Sequence, residues 1–163
     1  MDTFDTPVIR LLNAHQIAYR WLRHSQPVFT VEEAARQRGV VLEEMVKSIL
    51  LRDRDGRYVM ACVPGSARVN LNAVRAQLPL EWKRLTFASG EEILSVTGCV
   101  QGAVAPLGLP ESVPVIIDEA IARCRKVNIS SGDPRAGLEL PAADLIRLAS
   151  AGVAPIAERE VRR

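Results

Sequence analysis

Two apolar, β-rich segments joined by a tight turn constrain the fold of this chain more than any other feature. They span residues 45–52 and 57–63, and Asp53, Arg54, Asp55 and Gly56 lie between them. An Asp-Gly pair between two such segments is typical of an antiparallel hairpin, because these residues tolerate the backbone conformations that a tight turn needs. The sequence therefore predicts a sheet built around at least one antiparallel pair of strands.

Capping signals predict helices on both sides of this hairpin. Thr6 with Pro7 begins a first helix, and the capping box of Thr30 and Glu33 begins a second, which ends at Gly39. Further helices are predicted after Asn70, Ser89 and Pro141, and further strands over residues 18–23, 113–118, 125–130 and 153–157. Helices placed irregularly among strands favour one α+β domain over residues 1–163 rather than a regular βαβ sheet.

Composition narrows the classes of function. The chain has 163 residues, 48% hydrophobic and 25% charged, and a net charge of +2, which is too small for a protein that coats duplex nucleic acid but allows contact with one end of an RNA. Aromatic residues make up only 4%, which argues against a base-stacking platform. No apolar run is long enough to cross a membrane. The three widely spaced cysteines indicate reduced thiols in the cytoplasm.

Lys47 is the most informative charged residue, because it lies within an apolar strand beside Ile49 and Leu51 on one face. Burying an ammonium group is costly unless it has a partner. One interpretation is a lysine near the strand start that extends its head to water. The other is a cation at the floor of a pocket, where it would hold a phosphate or a carbonyl oxygen.

Residues 97–108 contain three glycines and a proline among small side chains. Such a segment can present successive backbone amides to a ligand and form an oxyanion hole, although it could also be only a turn-rich connection. Residues 128–133 leave a strand with two hydroxyls and a glycine, and they could line a cleft or form an ordinary turn. Neither histidine has a metal-ligand spacing, and a hydrolase using Cys99 as nucleophile is a further alternative.

In this order, these segments resemble the YbaK/prolyl-tRNA synthetase-associated family of free-standing aminoacyl-tRNA deacylases. The resemblance covers about residues 8–157 and includes residues 24–30, 46–53 and 58–65. Its most specific part is residues 97–108, where the G-x-x-x-P loop of the family falls on Gly102 and Pro106. The resemblance implies a mixed, mainly antiparallel, barrel-like sheet flanked by helices.

The resemblance also implies hydrolysis in trans of the ester that joins a wrong amino acid to tRNA, usually tRNA(Pro). The expected partners are the 3′ acceptor end of mischarged tRNA and prolyl-tRNA synthetase, with no membrane, metal or cofactor. Lys47, Gly102 and Ala103 would be the catalytic residues: the lysine anchors the terminal adenosine or its phosphate, and the amides orient the carbonyl. A ribose hydroxyl of the substrate would help to activate water. The implied walls of the substrate pocket are Phe29, Thr30, Ser48, Val104, Pro106, Ser130, Ser131 and Gly132.

The chain departs from the common pattern of the family at two places near this pocket. Many relatives have Pro-Pro-Phe-Gly where residues 105–108 read Ala-Pro-Leu-Gly, and many have Asn-Ala-Gly where residues 128–132 read Asn-Ile-Ser-Ser-Gly. Both departures leave the amino-acid specificity open, since one methylene is worth only about 1–3 kcal/mol of discrimination. They also motivate an alternative, a non-catalytic module of the same fold that binds tRNA or a synthetase.

Overall fold

A computed structural model describes residues 5–158 of the protein, so the ends of the predicted 1–163 domain lie outside the described residues. The helices are α1 Pro7–Ala14, α2 Val31–Arg38, α3 Leu71–Ala76, α4 Gly90–Thr97, α5 Glu119–Ala122 and α6 Ala142–Leu148. The strands are β1 Arg20–Arg23, β2 Val46–Arg52, β3 Tyr58–Pro64, β4 Thr86–Phe87, β5 Val115–Asp118, β6 Lys126–Asp133, β7 Ala136–Pro141 and β8 Gly152–Ala154. A short 3₁₀ helix, Leu42–Glu44, precedes β2.

The strands form two sheets of an α+β fold. One is antiparallel, with the order β1-β7-β6, and the other is mixed, with the order β4-β2-β3-β5-β8. In the mixed sheet β2 pairs antiparallel with β3 and β4, while β3–β5 and β5–β8 are parallel pairs. The mainly antiparallel pairing is therefore confirmed. Both strand orders are linear, and the pairings found in residues 5–158 give no support for a barrel-like closure.

The hydrophobic core combines both sheets with helices on either side. Because side chains alternate along a strand, Leu50 packs into a core shared with Ile129 and Leu138 of the other sheet, whereas Leu51 faces a second core. The second core contains Val74 of α3 and Trp82. Within the described part of the chain, no helix is both long and apolar enough to cross a membrane.

The local signals in the sequence are confirmed where they concern hairpins and caps. The turn at residues 53–56 joins β2 to β3, and the side chain of Thr6 accepts a hydrogen bond from the backbone of Ile9. Thr30, Asn70 and Ser89 cap their helices in the same way. A full capping box forms at Ser89 with Glu92, whereas the Glu33 carboxylate accepts from the backbone of Phe29 and not of Thr30. The sequence does not predict four elements: β4, β7, α5 and the 3₁₀ helix. Strand β7 contains glycine and a charged residue, and the other three elements have only two to four residues.

Candidate functional site

A cavity of about 330 Å³ opens between the start of β2, the start of α2, the loop at residues 102–104 and the end of β6. Eight of the eleven site residues predicted from the sequence line it: Phe29, Thr30, Lys47, Ser48, Gly102, Ala103, Val104 and Ser130. The strand lysine and the glycine loop, which lie 55 positions apart in the chain, are thus brought to one concave site.

Lys47 is half-buried at the edge of this cavity, and its ammonium group donates a hydrogen bond to the carbonyl oxygen of Ala67. Burial is the main cause that lowers the pKa of Lys47 below 10.5; the charge of Glu32 acts in the opposite direction, and Arg68 adds to the lowering. The carbonyl bond uses one of the three ammonium donors. The remaining donors can bind an oxygen of a ligand.

Gly102 places the loop against the backbone that precedes α2. Its φ is +89°, and an added Cβ atom would lie 2.2 Å from the carbonyl oxygen of Phe29. Only glycine satisfies both the positive φ and this close approach. The packing fixes the position of the loop at the mouth of the cavity.

The backbone amides of this loop differ in availability. The Ala103 N–H donates to the carbonyl oxygen of Val100 at 3.0 Å, so in this structure it already has a partner inside the turn. For the Gly102 and Val104 N–H groups, residues 5–158 supply no hydrogen-bond acceptor. The Ser130 hydroxyl donates to the Ala103 carbonyl at 2.9 Å, which ties the loop to β6.

Three predicted pocket residues lie outside the lining of this cavity. Pro106 is buried and does not line this cavity. Ser131 is fully buried, and its hydroxyl donates to the Ala136 carbonyl at 2.7 Å. Gly132 lies beside Thr6 at a separate, smaller cavity. Alternation along β6 explains the difference between Ser130 and Ser131, because neighbouring side chains point to opposite faces of the sheet.

The geometry around Cys99 does not form a nucleophile pair. The Cys99 side chain is buried, and its thiol lies 3.7 Å from the Thr97 carbonyl oxygen. It lines the small cavity beside Gly132, and that cavity has no histidine among its described lining residues. His24 lies elsewhere, in the lining of the 330 Å³ cavity.

Sequence reasoning missed His24 and Arg38 as lining residues of the 330 Å³ cavity, called the main cavity below, and included Asp133 only in the segment 128–133 that could line a cleft. Arg38 comes from the last position of α2, and Asp133 from the end of β6. An arginine in the last turn of a helix interacts favourably with the helix dipole. In the sequence, this effect is enough to explain an arginine at position 38 without any role in a site. His24 follows β1 and Asp133 ends β6, and both strands pair with β7, whose Gly137 lies against the Arg38 head.

A second cavity, of about 670 Å³, shares Lys47 with the first. Arg68 and Arg84 line it, and neither forms an ion pair within the described residues. Phe87 lines it too, with 61% of its surface exposed. Lys47 therefore lines both cavities, and the second one combines cations and an exposed aromatic ring with the side chain of Glu158.

The chain is similar to known proteins in sequence and in fold. The family model of the aminoacyl-tRNA editing domain matches residues 25–148. Proline--tRNA ligases of Thermosipho melanesiensis and Bacillus licheniformis are 37% and 34% identical over 63% and 60% of the chain. The chain spans 17% of the length of each ligase.

Two solved structures share the fold over nearly the whole chain. The hypothetical protein APE2540 is 29% identical, with a TM-score of 0.85 over 94% of this chain and 100% of that one. A protein proposed as a trans-editing enzyme for prolyl tRNA synthetase is 24% identical, with a TM-score of 0.78 over 96% of this chain and 100% of that one. At this lower identity the likeness concerns the fold.

Proposed function

The chain belongs to the aminoacyl-tRNA editing domain family, and from this premise we propose that it is a deacylase that hydrolyses mischarged tRNA in trans, with tRNA(Pro) as the substrate. The observation that carries the proposal is that Lys47, Gly102 and Val104 line one cavity, while the N–H groups of Gly102 and Val104 have no acceptor within residues 5–158. The cation can bind a phosphate next to the ester, and the unpaired N–H groups can stabilise the negative charge that develops on the ester carbonyl oxygen.

The reaction needs no nucleophilic side chain. The oxygen of a water molecule attacks the ester carbonyl carbon, and a tetrahedral intermediate with a negatively charged oxygen forms. The bond from carbon to the ribose oxygen then breaks, the ribose oxygen takes up a proton, and the free amino acid leaves. The neighbouring ribose hydroxyl of the substrate assists by relaying a proton: it accepts one from the attacking water and passes its own to the leaving ribose oxygen.

Some residues of the cavity orient the substrate, and others stabilise the negative charge that forms on the ester carbonyl oxygen. The Gly102 and Val104 N–H groups stabilise the developing negative charge, and the loss of one such donor typically lowers kcat about 10²–10³-fold. Ala103 acts through its carbonyl, which Ser130 holds at 2.9 Å. Lys47 anchors the terminal adenosine or its phosphate, and Phe29, Thr30 and Ser48 form walls for the amino acid.

The second cavity is the proposed binding surface for the acceptor end of the tRNA. Arg68 and Arg84 would contact its phosphates, and Phe87 offers a ring for base stacking. The mischarged product of prolyl-tRNA synthetase would reach this surface after release, in the cytoplasm. A transient complex with that synthetase is part of the proposal.

A panel of tRNA(Pro) species charged with alanine, cysteine, serine, threonine or proline tests the proposal. We expect release of at least one non-cognate amino acid to be faster than in buffer, with prolyl-tRNA(Pro) spared. Lys47→Ala should lower kcat/KM about 10- to 100-fold, because it removes a charge-assisted hydrogen bond to the substrate. Lys83→Ala is the matched control, since Lys83 is exposed and lines neither cavity.

Three outcomes separate this proposal from its alternatives. If every species survives as long as in buffer while tRNA binds with a salt-dependent affinity, the chain is a non-catalytic binding module. If Cys99→Ala abolishes activity without unfolding the chain, the cysteine mechanism is correct instead. If Lys47→Ala and Lys83→Ala hydrolyse the same ester at the same rate, Lys47 is not part of the site.

A further inference from the structure

Arg38 lines the main cavity but has no role in the reaction proposed above. It is the last residue of α2, and its guanidinium lies against Gly137 of β7. A Cβ atom added to Gly137 would be 2.0 Å from the central carbon of the guanidinium. The missing side chain at this strand position is therefore what makes room for the arginine head.

His24 holds the guanidinium in place as a neutral acceptor. The Arg38 Nε donates to His24 Nε2 at 3.1 Å, and the other ring nitrogen, Nδ1, lies 2.8 Å from the carbonyl oxygen of Pro134. This pattern assigns the ring proton to Nδ1, because a carbonyl can only accept. Burial, ahead of the Arg38 charge, lowers the pKa of His24 below 6.5, which keeps the ring neutral at pH 7.

The charge of Arg38 is not balanced by a carboxylate of the described chain. Asp133 also lines the cavity, but Arg135 binds both of its carboxylate oxygens, at 3.0 and 2.8 Å. The second contact of Arg38 is a weak one, from Nη1 to the sulfur of Met45 at 3.8 Å. Burial lowers the pKa of Arg38 to about 10, so the side chain remains a cation at neutral pH.

An arginine in this setting has unused donors. A guanidinium carries five N–H groups, and the two contacts above use two of them. Removing a cation from water without a counter-charge is costly, and the planar fork of donors matches a carboxylate or a phosphate. A cavity of about 330 Å³ is large enough to admit such a group from a ligand.

We propose that Arg38 binds an anionic oxygen of the substrate inside the main cavity, with His24 and Gly137 as its positioning residues. The proposal rests on the proposed deacylase function and specifies its substrate further. Two parts of a mischarged tRNA carry this chemistry. One is a carboxylate on the side chain of the amino acid, and the other is the phosphate of the terminal nucleotide.

Ester hydrolysis distinguishes the two sources. The substrates are tRNA(Pro) charged with alanine, serine, asparagine or aspartate, and the variants are Arg38→Gln and Gly137→Ala. Arg36→Gln is the control, because Arg36 is exposed on the same helix. If the amino acid supplies the carboxylate, both variants lower kcat/KM about 10- to 100-fold more for the aspartyl ester than for the alanyl ester. If a phosphate is bound, all esters slow equally and uncharged tRNA binds more weakly.

A binding measurement tests Arg38 independently of catalysis. In an NMR titration of the wild-type chain with inorganic phosphate and with N-acetylaspartate, we expect the Nε–H resonance of Arg38 to shift with at least one of them. If the Nε–H resonance of Arg38 shifts although the chain hydrolyses no ester, anion binding by Arg38 is supported and the deacylase proposal fails. The Arg38 proposal is overturned if neither anion moves this resonance, or if Arg38→Gln matches Arg36→Gln in every assay. Should Arg38→Gln not fold, Arg38→Lys takes its place.

Discussion

At the scale of single residues, Gly102 carries the strictest requirement in the candidate site. Its positive φ could be met at moderate cost by another residue, but the 2.2 Å separation from the Phe29 carbonyl oxygen could not. A side chain here must displace either the loop or the segment before α2. The proposed oxyanion donors, the N–H groups of Gly102 and Val104, belong to this loop, and a displacement of even 1 Å is expected to slow the proposed reaction.

We therefore expect Gly102→Ala to lower kcat for ester hydrolysis about 10²–10³-fold, the effect of losing an oxyanion donor. The matched control is Gly98→Ala, since Gly98 has a similar φ of +72° but nothing within 4 Å of an added Cβ. Both variants place an alanine at a positive φ, but only in Gly102→Ala does the new Cβ atom collide with the Phe29 carbonyl oxygen. Equal loss of activity in both would show that strain, and not the position of the loop, limits the rate.

At the scale of elements, the hairpin of β2 and β3 depends on one buried carboxylate. Asp53 is 1% exposed, and its oxygens accept from the backbone N–H groups of Asp55, Arg57 and Lys83 and from the Arg57 side chain, at 2.9–3.1 Å. Burial alone would raise the pKa of Asp53, but these hydrogen bonds outweigh it and the pKa lies below 3.8. The turn and the segment before β4 are thus joined at a single side chain.

Asp53→Asn should lower the free energy of unfolding at pH 7 by about 1–3 kcal/mol, because an amide nitrogen would face a donor. Asp55→Asn, which changes a half-exposed carboxylate, should alter it by less than about 0.5 kcal/mol. Since the folded pKa of Asp53 is lowered, its stabilisation is present above the unfolded value near 3.9 and is lost as the pH falls through the folded pKa. In urea denaturation, wild type and Asp53→Asn should therefore converge at low pH; a constant gap would contradict this.

The elements predicted from the sequence are those whose signals are local. The hairpin turn, the Thr30 cap and the Gly39 stop lie within a few residues of the backbone that they organise, and each is confirmed. Strand β7 was not predicted, because its Ala-Gly-Leu-Glu-Leu-Pro sequence lacks β-branched residues. It is a strand because β1 and β6 pair with it on both sides.

At the scale of the whole molecule, the same distinction separates the predicted and the missed parts of the cavity. Lys47 and Gly102 stand out because an apolar strand and a glycine loop make them unusual where they are. Arg38 and His24 have no such local mark, and their role follows from a strand that lies 99 positions after Arg38. A site wall built by non-local pairing leaves no periodic or capping signal in the sequence.

The distribution of charge over the molecule leads to a prediction about tRNA binding. The net charge is only +2, yet Lys47, Arg68 and Arg84 line one cavity. A cation that neutralises a phosphate of a single strand releases counterions and contributes about 0.7 to the slope of log K against log salt. Because Arg68 and Arg84 have no ion pair in residues 5–158, their positive charge is available for phosphates.

The double variant with Arg68→Ser and Arg84→Ser should therefore reduce the slope of log K against log salt by about 1.4. It should weaken the binding of uncharged tRNA most strongly at low salt. Arg147→Ser is the control, because Arg147 lies on α6, pairs with Asp144 and lines neither cavity. The measurement is the affinity for tRNA(Pro) over a series of salt concentrations. If the double variant keeps the wild-type slope, the acceptor end reaches Lys47 by another route, and the second cavity has no part in binding it.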